Sequence, residues 1–289
     1  MKILSLLLAL FSSFSHASTA EPLSKWPKKD LTICWLDQDR FNVEQFSDEA
    51  IHEVRALLPF QVTVADEFKT FIQTNIQKEF TSERTGIHFV GWKSCKDTKK
   101  ADVQIVTGNK DLAGYGLATH GRISHIKEDK EYEFLKGHSY IYVDMGEIKS
   151  KLPKPWDTYL TFLHELGHIA GLRHEQIRPE AAADLACKSM NNGPHLEAPY
   201  KHTANLGPYD PTSIMNDCFT GVFSYHTGLK FIAFDGTQQI IGKFRNSFIK
   251  HWTDETIVSR VKRDDSMDDV MIRIGLSKGD VEGLKKLYP

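Results

Sequence analysis

Cysteine is scarce in this chain of 289 residues: Cys34, Cys95, Cys187 and Cys218 are all there is, with no Cys-x-x-Cys pair among them. That excludes a small disulfide scaffold and gives no sign of a structural zinc ribbon. Cationic excess is missing as well. Lys and Arg number 36 against 38 Asp and Glu, a formal net charge of −2. A nucleic-acid binder or a polybasic membrane binder would need a cationic face that this balance does not supply. Long hydrophobic runs are absent beyond the N-terminus, so no membrane span is expected. There is no internal repeat and no low-complexity tract. What remains is the make-up of a globular protein, 40% hydrophobic and 26% charged, long enough for one large domain or two small ones.

Lys2, the apolar run Ile3–Phe11 and a Ser-rich stretch follow the order of a secretory signal peptide. Small residues offer cleavage after Ala17 or after Ala20. Residues 1–20 are therefore read as a signal peptide, and the mature chain as secreted or periplasmic. In an oxidising compartment an even cysteine count favours two bridges, out of three possible connectivities. The expected pairs are Cys34–Cys95 and Cys187–Cys218, each within one half of the chain.

Periodicity then sets out the mature chain. Residues 31–36 alternate as a strand. Ser47 opens a helix with Ile51, Val54, Leu57 and Leu58 on one stripe. A stronger helix is predicted over 66–84, with Phe68, Phe71, Ile72, Ile76 and Phe80 on one face and Thr85-Gly86 at its end. Strands are expected at 87–92, 102–106 and 139–143, with an irregular edge strand within 112–124. A third helix starts near Trp156 and runs to about Ala170. After Gly171 clear periodicity is lost for a hundred residues or so, until Ser277 and Asp280 cap a short helix over 276–288.

The third helix carries His164-Glu165-Leu166-Gly167-His168, followed by Ile169-Ala170-Gly171-Leu172-Arg173-His174-Glu175. His164 and His168, four apart, project from one helix face and can share an ion. Glu165 sits beside the first histidine, within reach of a water but not a ligand. Gly171 permits an abrupt stop, after which His174 can return to the ion from a direction closed to a straight helix. Three imidazoles and a water form an open tetrahedral zinc site of the catalytic type. A bare His-Glu-x-x-His arises by chance in roughly a few per cent of chains of this composition; the added Gly, third His and Glu at fixed spacing make coincidence far rarer.

This pattern resembles the metzincin zinc peptidases. His174-Glu175-Gln176 with Arg178-Pro179 is similar to the astacin branch. The segment Tyr209–Met215 resembles the astacin Met-turn, and 276–288 resembles the closing helix of astacin and matrixin domains. The resemblance is dense over 157–179 and 209–216, moderate over 276–288 and architectural elsewhere. It implies an α+β metzincin domain over 21–289 in two lobes. The N-terminal lobe, about 21–171, would hold a twisted mixed β-sheet with helices; the C-terminal lobe, about 172–289, would be mostly irregular with a closing helix. It further implies one Zn²⁺ per chain on His164, His168 and His174, a zinc-activated water with Glu165 as general base, and Met215 as a non-ligating floor. The activity implied is a secreted zinc endopeptidase. Its protein or peptide substrate would lie extended along an edge strand near 114–119.

Three departures accompany the likeness. Asp217 stands where astacins carry a tyrosine two residues after the methionine, and Tyr225 is a candidate replacement. About ten residues separate the signal peptide from the first strand, too few for a pro-segment, so Glu175 should bond a backbone amide or the cleaved amine. Residues 219–275 exceed a plain closing loop and suggest an added specificity or partner-binding element. These departures motivate an alternative, a non-catalytic secreted binding or adhesion protein that keeps the fold. The histidines His120, His125 and His138 lack the spacing of a second zinc site. Asp264, Asp265, Asp268 and Asp269 lack that of a calcium loop.

Overall fold

Strands rich in Ile, Val and aromatic residues, buried on both faces, are the sequence form of a parallel sheet. The computed structural model builds such a sheet. It describes residues 19–20, 25–36, 62–108, 116–119, 123–125, 133–134, 139–145, 155–183, 204–217, 230–234, 237–243, 261–263 and 269–289. In chain order the strands begin with β1 (Thr19–Ala20) and β2 (Asp30–Trp35). Helix α1 (Asp66–Glu79) and the single turn α2 (Ser82–Thr85) come next. Strands β3 (His88–Ser94), β4 (Val103–Gly108), β5 (Gly116–Ala118), β6 (Ile123–His125), β7 (Glu133–Phe134) and β8 (Ser139–Asp144) follow. Helix α3 (Pro155–Ile169) lies beyond them.

Five strands form one sheet in the order β3-β2-β4-β8-β5. The first four run parallel, while β5 pairs antiparallel with β8 and makes one edge. All six residues of β8 are buried. Helix α3 packs against β8 and β5. Phe162 from α3 meets the Trp35 ring edge-on at 5.6 Å, and Tyr159 meets Phe71 of α1 at 6.2 Å. The core therefore sits between the sheet and the helix that carries the histidines. Cys34 and Cys95 are joined as expected. Closing a loop across a separation of 61 residues restricts the unfolded chain by about 4 kcal/mol on the chain-entropy account. Cys187 and Cys218 lie outside the described residues, as do the predicted 47–58 helix, Tyr225, His120 and His138.

The continuous helix expected over 66–84 is broken. Phe80 is extended (ψ 91°), and Thr81 starts a new cap by accepting a hydrogen bond from the Arg84 amide at 3.0 Å. The break lets the Arg84 guanidinium lie 3.0 Å from the Glu79 carboxylate, which also accepts from the Leu276 amide at 2.9 Å. Gly86 then ends the turn at φ 76°, a left-handed conformation that glycine adopts without cost.

The second half is more regular than its sequence suggests. Strand β9 (Ala204–Asn205) pairs antiparallel with β1, and Ala20 also bridges to Leu172. Strands β10 (Lys230–Phe234), β11 (Thr237–Lys243), β12 (Val261–Arg263) and β13 (Asp269–Ile274) form an antiparallel sheet in the order β10-β11-β13-β12. The expectation of a mostly irregular C-terminal lobe is corrected by this sheet. Its strands are short and mix polar with apolar residues, which weakens periodicity. The residues between β10 and β11 are Asp235-Gly236, the strongest short hairpin signal, and it was available to read. Helix α4 (Lys278–Leu287) closes the chain with the capping box expected from Ser277 and Asp280. Among the described residues no helix is long and apolar enough to cross a membrane.

Candidate metal centre

Helix α3 places His164 and His168 one turn apart, and its ending determines where His174 goes. The Leu172 amide bonds Gly167 O at 2.9 Å and the Gly171 amide bonds His168 O at 2.8 Å, with Gly171 at φ 94°. This pair of bonds is the Schellman arrangement, and it turns the chain sharply at Gly171. Two distant residues satisfy the carbonyls left over at the helix end. Trp26 Nε1 donates to Ile169 O at 2.8 Å and the Tyr288 hydroxyl to Ala170 O at 3.1 Å. The reversed chain brings His174 back, so that its Nε2 lies 3.2 Å from His164 Nε2 and 3.1 Å from His168 Nε2.

Counting protons shows what this cluster suits. His164 Nδ1 is 2.9 Å from Ile214 O, and His168 Nδ1 is 3.0 Å from Leu172 O. A carbonyl only accepts, so each Nδ1 carries the hydrogen of the neutral ring and each Nε2 presents a lone pair. One Nε2 hydrogen on His174 serves one of these neighbours and not both. A cation held between the three nitrogens removes the conflict. The spacings also approach the edge of a tetrahedral site, about 3.3–3.4 Å for zinc–nitrogen bonds of about 2.0–2.1 Å. His164, His168 and His174 thus form a cluster that could hold a metal ion.

Beneath the cluster runs the turn 209–217. Ile214 supplies the carbonyl for His164, and Met215 O accepts the Glu175 amide at 2.8 Å. Met215 is fully buried, and a Cβ added at Gly167 would lie 2.4 Å from its sulfur. Gly167 is therefore the space into which the methionine fits. The turn hangs on the cap of α4. Asp280 accepts the Ser213 hydroxyl at 2.5 Å and the Ile214 amide at 3.0 Å while capping Ser277. The Ser277 hydroxyl donates in turn to Asp210 at 2.6 Å, and Asp210 accepts from the Thr212 amide at 2.9 Å.

Glu165 is buried and packs against the edge strand, where a Cβ on Gly116 would come 2.4 Å from its Oε1. Burial, and to a smaller degree the Asp217 carboxylate, push the Glu165 carboxyl well above the usual carboxylate range. A nearby divalent ion would act against that shift. Burial pulls the His164 imidazole below its usual value, with Asp217 opposing. Glu175 is fully buried and bonds the Asp210 backbone amide at 2.9 Å, the first of the two partners foreseen for it. Its second contact, the Arg178 guanidinium at 3.0 Å, was not foreseen.

His164, His168 and His174 are brought together; Glu165, next to His164 on the same helix, lies against Gly116 of β5, and Met215 packs against Gly167. The edge strand expected near 114–119 is β5. Sequence reasoning missed the supporting roles of Asp210, Ser213 and Asp280, and the clearances at Gly116 and Gly167. The capping pair Ser277/Asp280 was legible, but not its second set of bonds, because those partners are remote in sequence. No protein-family model matches this chain, and no curated protein matches it.

Proposed function

We propose that this chain is an exported zinc-dependent endopeptidase of the metzincin kind, most like the astacins. The observation that carries the reading is the convergence of three imidazoles, with the buried Glu165 next to His164 in the chain and the buried Met215 packed against Gly167. His164, His168 and His174 hold the metal. Zinc bound there supplies Lewis-acid polarisation of the scissile carbonyl and lowers the pKa of a water toward neutrality. Glu165 takes the proton of the attacking water and returns it to the leaving amine. The peptide lies extended along β5, whose pairing partner among the described residues is β8 on one side. Added-strand hydrogen bonds then give binding, and side-chain pockets give selectivity. The disulfide Cys34–Cys95 accords with export. Of the two processing positions, the one after Ala17 keeps β1 in the mature protein.

Glu165→Gln tests the reading. The variant should fold and retain one zinc per chain, yet lose cleavage of a peptide library by about 10²–10⁴-fold, the usual worth of a general base. Equal cleavage by variant and wild type, in preparations free of other peptidases, refutes it. Asp217 in place of the family tyrosine favours the second reading, a secreted binding protein on the same scaffold. That protein would bind zinc and cleave nothing.

A further inference from the structure

Asp217 ends the described turn with its carboxylate facing the histidine cluster. Oδ1 is 3.9 Å from His164 Nε2, and Oδ2 is 3.9 Å from His174 Nε2. Gln176 holds it there at two points. Its side-chain amide donates to Asp217 Oδ2 at 2.5 Å, and its carbonyl oxygen accepts the Asp217 backbone amide at 3.0 Å. Gln176 is itself buried, in the 3₁₀ turn Glu175–Ile177 that follows the third histidine.

We propose that Asp217 is a fourth, anionic ligand of the metal in the resting protein, positioned by Gln176 and displaced when water or a substrate oxygen takes its place. The inference rests on the metal-binding reading of the cluster and stands apart from peptide cleavage. Carboxylate oxygen is an ordinary zinc ligand at about 2.0–2.2 Å, and completing a tetrahedral site needs ligand atoms about 3.3–3.4 Å from the imidazole nitrogens. Asp217 is about half an ångström outside that distance on two edges at once, within the reach of a small side-chain rotation. Its side chain is 49% exposed, so it can swing outward without leaving a buried cavity. Gln176 grips one oxygen and the backbone, which fixes the pivot of that swing. A carboxylate here also neutralises one of the two charges that three neutral imidazoles leave on the ion.

The test compares wild type, Asp217→Ala, Asp217→Asn and Gln176→Ala, with Asp66→Ala, an exposed carboxylate at the start of α1, as the control. Zinc affinity is measured by competition with a chromophoric chelator, and ligation by the visible absorption of the cobalt-loaded proteins. Loss of an outer-shell partner already costs about 10–100-fold in metal affinity. Asp217→Ala should therefore raise the zinc Kd at least about tenfold and change the cobalt spectrum, with Gln176→Ala between it and wild type. Asp217→Asn keeps the shape and also weakens zinc, which covers the case of an alanine variant that does not fold. The difference should persist in 1 M salt, where the Debye length is about 3 Å. Unchanged affinity and spectrum, or a difference that vanishes at high salt, overturns ligation and leaves Asp217 a through-space charge. Neither result bears on Glu165→Gln, so the peptidase reading fails or stands separately.

Discussion

Alanine at Gly116 would test whether the narrow gap between β5 and Glu165 belongs to the catalytic geometry. The added Cβ meets Glu165 Oε1 at 2.4 Å and Thr161 Cγ2 at 2.7 Å. Ordinary carbon contacts begin near 3.4 Å, so about 1 Å of displacement is required between strand and helix. Both obstructing atoms sit on α3, whose core face is locked by Phe162 and Tyr159. The relief must therefore come from rotation of the Glu165 carboxylate or a shift of β5. On the proposed mechanism, either one moves Glu165 relative to a peptide laid along that strand. A misplacement of about 1 Å typically costs about 10²-fold in rate, and that is the expected fall in kcat/KM on a peptide substrate. Zinc content should stay at one per chain, because no ligand is touched. Thr161→Ser in the same chain removes the Cγ2 contact alone and should restore little. Wild-type kcat/KM in Gly116→Ala, with full zinc loading, would show that the glutamate's position there does not govern cleavage.

Two further outcomes follow from buried charge. Glu175→Ala removes the buried carboxylate partner of the Arg178 guanidinium, which is left with Gly207 O at 3.0 Å and the exposed Glu180 carboxylate at 3.1 Å. Urea unfolding of the metal-free protein should show a loss of about 3–5 kcal/mol, and a change under 1 kcal/mol would refute the ion pair's role. The raised pKa of Glu165 gives a pH test in the metal-free state. The folded protein holds this proton more tightly than the unfolded chain. Stability from the protonated form is thus full below the ordinary value of 4.5 and is lost as pH rises through the raised folded value. Metal-free Glu165→Gln should match wild type in acid and exceed it at alkaline pH; parallel stability–pH curves would refute the shift.

What the sequence could reveal follows from the range of the interactions. The histidine cluster is local: His164, His168 and His174 fall within eleven residues, and helix pitch plus Gly171 fix their geometry. The edge strand was legible from glycine punctuation; for the bridge, an even cysteine count gave only the number of bridges, and Cys34–Cys95 was chosen among three connectivities because both lie in one half of the chain. The break at Phe80 was not legible; the Glu79 carboxylate beside it bonds the Leu276 amide, a partner 197 residues away that the local pattern does not reveal. The Asp210–Ser277 and Asp280–Ser213 bonds have the same character, each spanning 67 residues. The sheet of β10–β13 was hidden by mixed polar and apolar strands, although Asp235-Gly236 marked its first hairpin.

The Asp280 cap has a temporal consequence. The carbonyl that orients His164 belongs to Ile214, whose amide is pinned by a residue made 66 positions later. A growing chain that already displays all three histidines still lacks the anchor of the carbonyl that holds His164. On the metal-binding reading, the cluster is complete only once the helix at 278–287 has docked, after nearly the whole chain has been made.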